Sequence, residues 1–309
     1  MGTEAAFDTP IERRGGWLSG PPRRPRQMLD GQDFHGRATI HDDGVAQSMG
    51  FAGGTIEGPT HLSQFAPLGF AAWGRDWFER GCLSMHYRTA CTDGDEARAF
   101  MAEPAGDISA IRLERADGGE VLTGTALIGE AESDLDRRLA AAGPPENPLI
   151  LRDVKVGMIR PRVAVRMGMD DVMGPLYPFT LRQKLALITE PSPWYESADN
   201  PWGRPIIPFE MVSVLANQLF DSDPFPVLGP TVDLIVDHEV RMLAGPLFVG
   251  EDYEVERAVV GISGSRRTES LWVRSSIFRP GEDRPIAVNL QNTASLIESL
   301  PGHLVQAMA

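Results

Sequence analysis

The chain states one structural plan twice, and that repeat constrains its fold more than any other feature. In the first half a short helical segment, HDDGVAQSMGF (41–51), runs into GGTIEGPTHLSQFAPLGFAAW (53–73), which reads as a tight glycine turn followed by a mostly apolar helix. Glycines allow the turn and a close backbone approach, and a helix without a strong polar face has to be buried. Four β-rich runs follow: CLSMHYRTA, EARAFMAE, SAIRLERA and EVLTGTALIG, separated by the turn signals TDGD, AGD and DGG. That is the pattern of an antiparallel meander. The second half repeats the order with NPWGRPIIPFEMVSVLANQLF (200–220) and then TVDLIVDHEVRM, DYEVERAVVGI, ESLWVRSSIF and AVNLQNTASLI. Gly203 answers Gly53 and Ile206 answers Ile56 at one common offset, as a duplication would leave them.

The expected class is therefore α+β, two antiparallel sheets each wrapped around a central helix and joined edge to edge. Residues 1–36 are expected to form an N-terminal arm, 37–130 a first unit, 131–150 a connector rich in Ala, Pro and charge, and 151–309 a second unit. The segment 163–190 opens the second unit with a short strand and a helix, which Pro175 and Pro178 interrupt.

Composition excludes several classes of function. With 309 residues, 42% hydrophobic and 23% charged, the chain can bury one large or two medium cores. A formal net charge of −14 opposes binding to a phosphate backbone, so no nucleic-acid partner is expected. The basic cluster Arg13, Arg14, Arg23, Arg24 and Arg26 is broken by Gly and Pro and reads as a solvated or subunit-hugging arm. No stretch reaches the roughly 20 apolar residues of a membrane span, and the start lacks the apolar core of a signal peptide. A cytoplasmic protein with no membrane partner is expected. Cys82 and Cys91 lack the paired spacing of a zinc site and read as free thiols, so neither a metal nor a cofactor is called for.

The run His41, Asp43, Ala46, Gly50, Phe51, Gly53, Gly54, Ile56 and Gly58 resembles the MaoC-like hot-dog proteins, the group that contains the (R)-specific enoyl-CoA hydratases. WFERGCLSMHYRTACTDGD resembles the strand that follows the central helix in that family, and the likeness extends over most of residues 37–297. It implies a double hot-dog fold, an acyl-CoA or other acyl-thioester substrate, and a homodimer of the whole chain. In the resembling hydratases an Asp five residues before a catalytic His shares the handling of the added water, and the start of the helix offers a backbone N–H to the thioester oxygen. Here His41 falls on the His position and Gly36 falls where the Asp belongs; Asp33, Asp42 and Asp43 are near but differently spaced. In the second half Glu190 and Tyr195 fall on the Asp and His positions, but Tyr195 lies only seven residues before Trp202, against eleven from His41 to its counterpart Ala52, so no intact second dyad is expected.

His41 is the first candidate for general acid–base work, because an imidazole titrates near neutrality; the alternative is a residue opening a short helix. Asp43 is a second candidate, whose competing role is to cap or pin the turn. His61, at the start of the central helix, is another proton carrier or else a buried hydrogen-bonding His. Glu57, in the same turn, is a replacement for the absent carboxylate. Gly53, Gly54, Gly58 and Thr60 are candidates for contacts with the thioester. His86 and Arg88 share a strand face, and Arg204, Arg241, Arg266 and Arg267 are candidate phosphate contacts that also suit ordinary surface charge. The leading reading is an acyl-thioester hydratase or dehydratase with an apolar tunnel opening near residues 53–61. A non-catalytic acyl-CoA-binding subunit and a hot-dog thioesterase using Glu57 are the alternatives.

Overall fold

Alternation along the strands decides which face is inside. In β4 (Ala97–Ala102), Ala97, Ala99 and Met101 are buried while Arg98, Phe100 and Ala102 are partly exposed, so one face packs on the core. The computed structural model describes residues 5–29, 32, 39–218 and 220–306. Within these, β1 (Glu12–Arg14), β2 (Trp17–Ser19), β3 (Gly81–Tyr87), β4, β5 (Ile108–Arg115) and β6 (Glu120–Ile128) belong to the first half. β7 (Ile159–Arg166), β8 (Asp233–Met242), β9 (Asp252–Gly264), β10 (Thr268–Phe278) and β11 (Ala287–Leu296) belong to the second.

All eleven strands form one sheet in the order β1-β2-β4-β5-β6-β3-β8-β11-β10-β9-β7. Read outward from the β3–β8 junction, β6, β5, β4 and β2 mirror β11, β10, β9 and β7. The junction is antiparallel, with Cys82 opposite Arg241 and His86 opposite Asp237. The chain is thus a double hot-dog, its halves joined edge to edge as the repeat implied. The basic stretch read as an arm instead supplies β1 and β2, and β2 pairs with β4. Three residues between Gly and Pro are too few for a strand pattern to be visible in sequence.

Each half wraps around a buried helix. The first begins as a 3₁₀ helix, Gly58–Phe65, and continues as α2 (Ala66–Trp73), after α1 (Asp43–Ser48). The second is α6 (Phe209–Asn217); α3 (Arg75–Arg80), α4 (Asp134–Ala141) and α5 (Leu181–Leu185) lie between. The continuous helix expected over the first apolar run is split at Pro67, which has no N–H to continue an i to i−4 ladder. Leu62, Phe65 and Leu68 are fully buried, each contributing on the order of 2–3 kcal/mol of transfer free energy. Trp77 stacks between Trp73 and Phe209, with centroids 5.7 and 4.9 Å away, and so ties the two halves together.

The connector holds more structure than its composition indicated. Ser133 and Asp136 form a capping box at the start of α4, and Leu135 is buried with Trp272 and Leu290 on the outer face of the sheet.

Candidate functional site

The first glycine turn is held by short-range hydrogen bonds. Asp42 caps α1 by accepting the Val45 N–H at 2.9 Å, and Asp43 Oδ1 accepts the Gly54 N–H at 2.7 Å. Thr55 N–H donates to the Ile40 carbonyl at 3.0 Å, and Ile56 N–H to the Cys91 carbonyl at 2.7 Å. A Cβ on Gly54 would collide with the His41 carbonyl, and one on Gly58 would lie 2.8 Å from the Tyr87 ring and hydroxyl. Only glycine lets the turn lie this close to both neighbours.

This turn forms one wall of a cavity of about 330 Å³ to which both halves contribute. The first half supplies His41, Glu57, Gly58, His61 and Tyr87; the second supplies Tyr177, Asn217, Asp233 and Gln291. Arg88, Thr89 and Asp233 at the mouth are exposed, whereas Glu57, His61, Tyr177, Asn217 and Gln291 are buried and form the floor. Ile40, Phe51, Leu176, Phe220 and Ile235 give the cavity apolar walls, and polar groups gather at its floor, where the expected apolar tunnel had none.

Three titratable groups face this space. His41 donates from Nδ1 to the Thr55 carbonyl at 2.8 Å, which leaves Nε2 as the ring's acceptor. Burial pulls its pKa below the ordinary 6.5, only partly offset by that hydrogen bond, so the ring is neutral at pH 7. Glu57 is 7% exposed, and its carboxyl has no hydrogen-bond partner among the described residues. Burial raises its carboxyl to about 7, against the attraction of Lys184 and with the repulsion of Glu210. His61, 2% exposed, is pushed down to about 4 by burial and by Lys184, and its Nδ1 has no partner among the described residues.

Behind Glu57 lies a charged network that the sequence reading did not single out. Lys184 Nζ donates to Thr60 Oγ1 at 3.0 Å and stands 3.4 Å from Glu210 Oε1, while the Ser63 hydroxyl donates to Glu210 Oε2. Lys184 is 4% and Glu210 1% exposed. The one signal in sequence was Glu210 itself, a lone charge inside an otherwise apolar helix.

The structure thus brings His41, Glu57, Gly58 and His61 together at one cavity, with Arg88 at its mouth, and leaves the other candidates outside it. Asp43 is a pin, because its carboxylate is occupied by the Gly54 N–H. Gly53 and Gly54 do not line the cavity, and Thr60 is turned toward Lys184. Gly36 and Asp33 lie outside the described residues. His86 and Arg88 part company beyond the end of β3: Arg88 lines the mouth, and His86 bonds Asp237 at 2.7 Å on the opposite face. Arg204, Arg241 and Arg267 form ion pairs with Glu251, Glu239 and Glu298. Among the described residues no cluster of His, Cys, Asp or Glu could hold a metal ion, and no helix is long and apolar enough to cross a membrane.

The second half repeats the turn but not the cavity. Ile206 N–H donates to the Trp194 carbonyl at 2.9 Å and Ile207 N–H to the Leu247 carbonyl at 2.8 Å, so Ile206 matches Thr55, and the offset is one residue larger than the glycines suggested. Tyr195 then occupies the place of His41, as the sequence alignment had it. Phe7 packs against Tyr195, Phe70 and Phe78 there, with centroid separations of 6.1–6.2 Å. Glu190 is held by Arg23 at 2.7 and 3.0 Å and by Thr9 at 2.5 Å. The N-terminal segment has filled the second site with aromatic and ionic contacts.

Comparison with known proteins agrees with this architecture. No family model matches the chain, and no curated protein matches it by sequence. Among solved structures it is similar to a protein from Chloroflexus aurantiacus described as a MaoC domain dehydratase, with 13% identity and a TM-score of 0.56 over 94% of this chain and 95% of that one. A MaoC-like dehydratase matches with 16% identity and a TM-score of 0.50 over 92% and 98% of the two chains. A conserved protein from Mycobacterium tuberculosis with a double hot-dog fold matches with 12% identity and a TM-score of 0.50 over 89% and 93%. The chain is a double hot-dog protein whose solved structural neighbours include MaoC-like dehydratases.

Proposed function

We propose that the cavity binds an acyl thioester and that the protein hydrates a 2-enoyl thioester, or dehydrates the 3-hydroxyacyl product, with His41 and Glu57 as the proton-handling pair. One observation carries this reading. An imidazole and a carboxyl with a pKa of about 7 line the same cavity, and neither the imidazole Nε2 nor the carboxyl oxygens have a hydrogen-bond partner among the described residues. In hydration, His41 Nε2 takes a proton from water as the water oxygen bonds to Cβ. The π electrons shift toward the thioester carbonyl, and protonated Glu57 delivers a proton to Cα. Exchange with solvent then returns the proton from His41 to Glu57. The Gly58 N–H has no acceptor among the described residues and is the donor suited to the thioester oxygen. His61, held neutral, shapes the floor and remains the second candidate for proton transfer.

A buried carboxyl with a pKa near 7 also favours a second reading, in which Glu57 activates water for attack on the carbonyl and releases the thiol. Substitution separates binding from chemistry. In His41→Ala, hydration turnover should fall while a saturated acyl-CoA still binds; unchanged turnover on a substrate the wild-type protein converts would transfer the role to His61 and Glu57.

A further inference from the structure

The floor of the cavity is built to hydrogen-bond. Asn217 ends α6, 6% exposed, and donates from Nδ2 to Gln291 Oε1 at 3.0 Å. Gln291, on β11 and 8% exposed, donates from Nε2 to Ser213 Oγ at 3.4 Å, a long bond that leaves the amide weakly satisfied. The Tyr177 hydroxyl lies beside the Asn217 side chain. Two primary amides and a phenol therefore line the buried end of the cavity, away from the exposed Arg88 and Thr89. Seating methyl and methylene groups against them removes water from amide hydrogens and lone pairs without replacing its bonds, which is unfavourable. The floor does not suit an anion either. Arg88, the one Lys or Arg lining the cavity among the described residues, is at the mouth, Lys184 is engaged with Thr60 and Glu210, and Glu57 stands nearby.

We infer that the acyl group accepted here ends in an uncharged hydrogen-bonding function, an amide or hydroxyl, which the Asn217–Gln291 pair recognises. This inference rests on the thioester reading above and specifies its acyl class. A site that hydrogen-bonds a substrate group discriminates against an analogue lacking it far better than an apolar pocket discriminates by size.

The test is calorimetric binding to the full-length protein of three saturated thioesters of nearly equal shape, which offer no double bond to hydrate: glutaramyl-CoA, 5-methylhexanoyl-CoA and glutaryl-CoA. The carboxamide should bind about tenfold or more tighter than the branched alkyl compound and also tighter than the carboxylate. Gln291→Leu and Asn217→Leu, each checked for an unchanged melting curve, should abolish or reverse the preference of amide over alkyl; a preference unmoved in a folded variant would overturn the assignment to this pair. Equal or tighter binding of 5-methylhexanoyl-CoA to the wild-type protein would overturn the acyl class while leaving the thioester reading intact. Binding of none of the three would overturn both. Amide preference without hydration of any enoyl thioester would sustain the acyl class and remove the hydratase reading alone.

Discussion

His41 and Thr55 are joined by a single hydrogen bond, from the ring Nδ1 to the backbone carbonyl at 2.8 Å, and Thr55 lies two residues before Glu57. One turn therefore fixes the tautomer of the imidazole and places the carboxyl. His41→Ala is expected to lower turnover about a hundredfold or more, the scale for losing a positioned proton carrier, with saturated acyl-CoA binding little changed. His61→Ala is expected to cost less. Steady-state kinetics and calorimetry on the same preparations check both.

The pH profile should carry the signature of both groups. Hydration requires neutral His41, whose pKa is depressed below 6.5, and protonated Glu57, whose pKa is about 7. A plot of kcat/KM against pH is expected to be bell-shaped, falling on the acid side below 6.5 and on the alkaline side above about 7. A profile flat through pH 8 would show that Glu57 is not the acid.

Stability should respond to Glu57 in the opposite sense from an ordinary carboxylate. Its pKa rises from 4.5 in the unfolded chain to about 7 in the fold, so between those values the native state holds the extra proton. Stability from this group is full below pH 4.5 and is lost as pH rises toward 7, by on the order of 3 kcal/mol. Buried His61 and His238, both pushed down to about 4, act the other way, losing stability as pH falls from 6.5. Denaturant titrations of wild type and Glu57→Gln isolate the carboxyl: the Gln protein should gain relative stability from pH 5 to pH 8.

Lys184 and Glu210 are buried together, so removing one should cost more than removing both. Glu210→Ala alone is expected to destabilise by about 3–5 kcal/mol, because Lys184 keeps a buried charge without its counterion. The Lys184→Met/Glu210→Met pair should recover much of that loss. A double-mutant cycle in urea gives the coupling, and additive single effects would contradict it.

Arg23 and Glu190 bind the N-terminal segment over the second half's counterpart of the site. Glu190→Gln is expected to cost about 1–3 kcal/mol of stability and to leave hydration kinetics unchanged. A large fall in turnover with stability retained would show that the second half takes part in the chemistry.

Much of this architecture is legible in the sequence. The eight meander strands followed from period-two alternation and Gly/Asp turns, and the buried helices from apolar runs without a polar face. The elements that the sequence pattern does not reveal depend on tertiary contact. β2 is three residues long, and α4 lies in a stretch whose Ala, Pro and charge read as a connector. The common glycine offset misaligned the turns by one residue, because the backbone hydrogen bonds of Thr55 and Ile206 define the match, not the glycines. At the site, His41, Glu57, Gly58 and His61 were local to one motif and could be named. Asn217 and Gln291 are 74 residues apart and become neighbours only when β11 closes over α6.

The central claim is water chemistry at an enoyl thioester, and product analysis tests it most directly. The full-length protein is incubated separately with a 2-enoyl-CoA and a saturated acyl-CoA, and the products are separated by chromatography alongside a free-thiol assay. The predicted result is conversion of the enoyl compound to a 3-hydroxyacyl-CoA, lost in His41→Ala, with no thiol released from either substrate. Thiol release from both substrates, or an enoyl compound that binds and emerges unchanged, would contradict it.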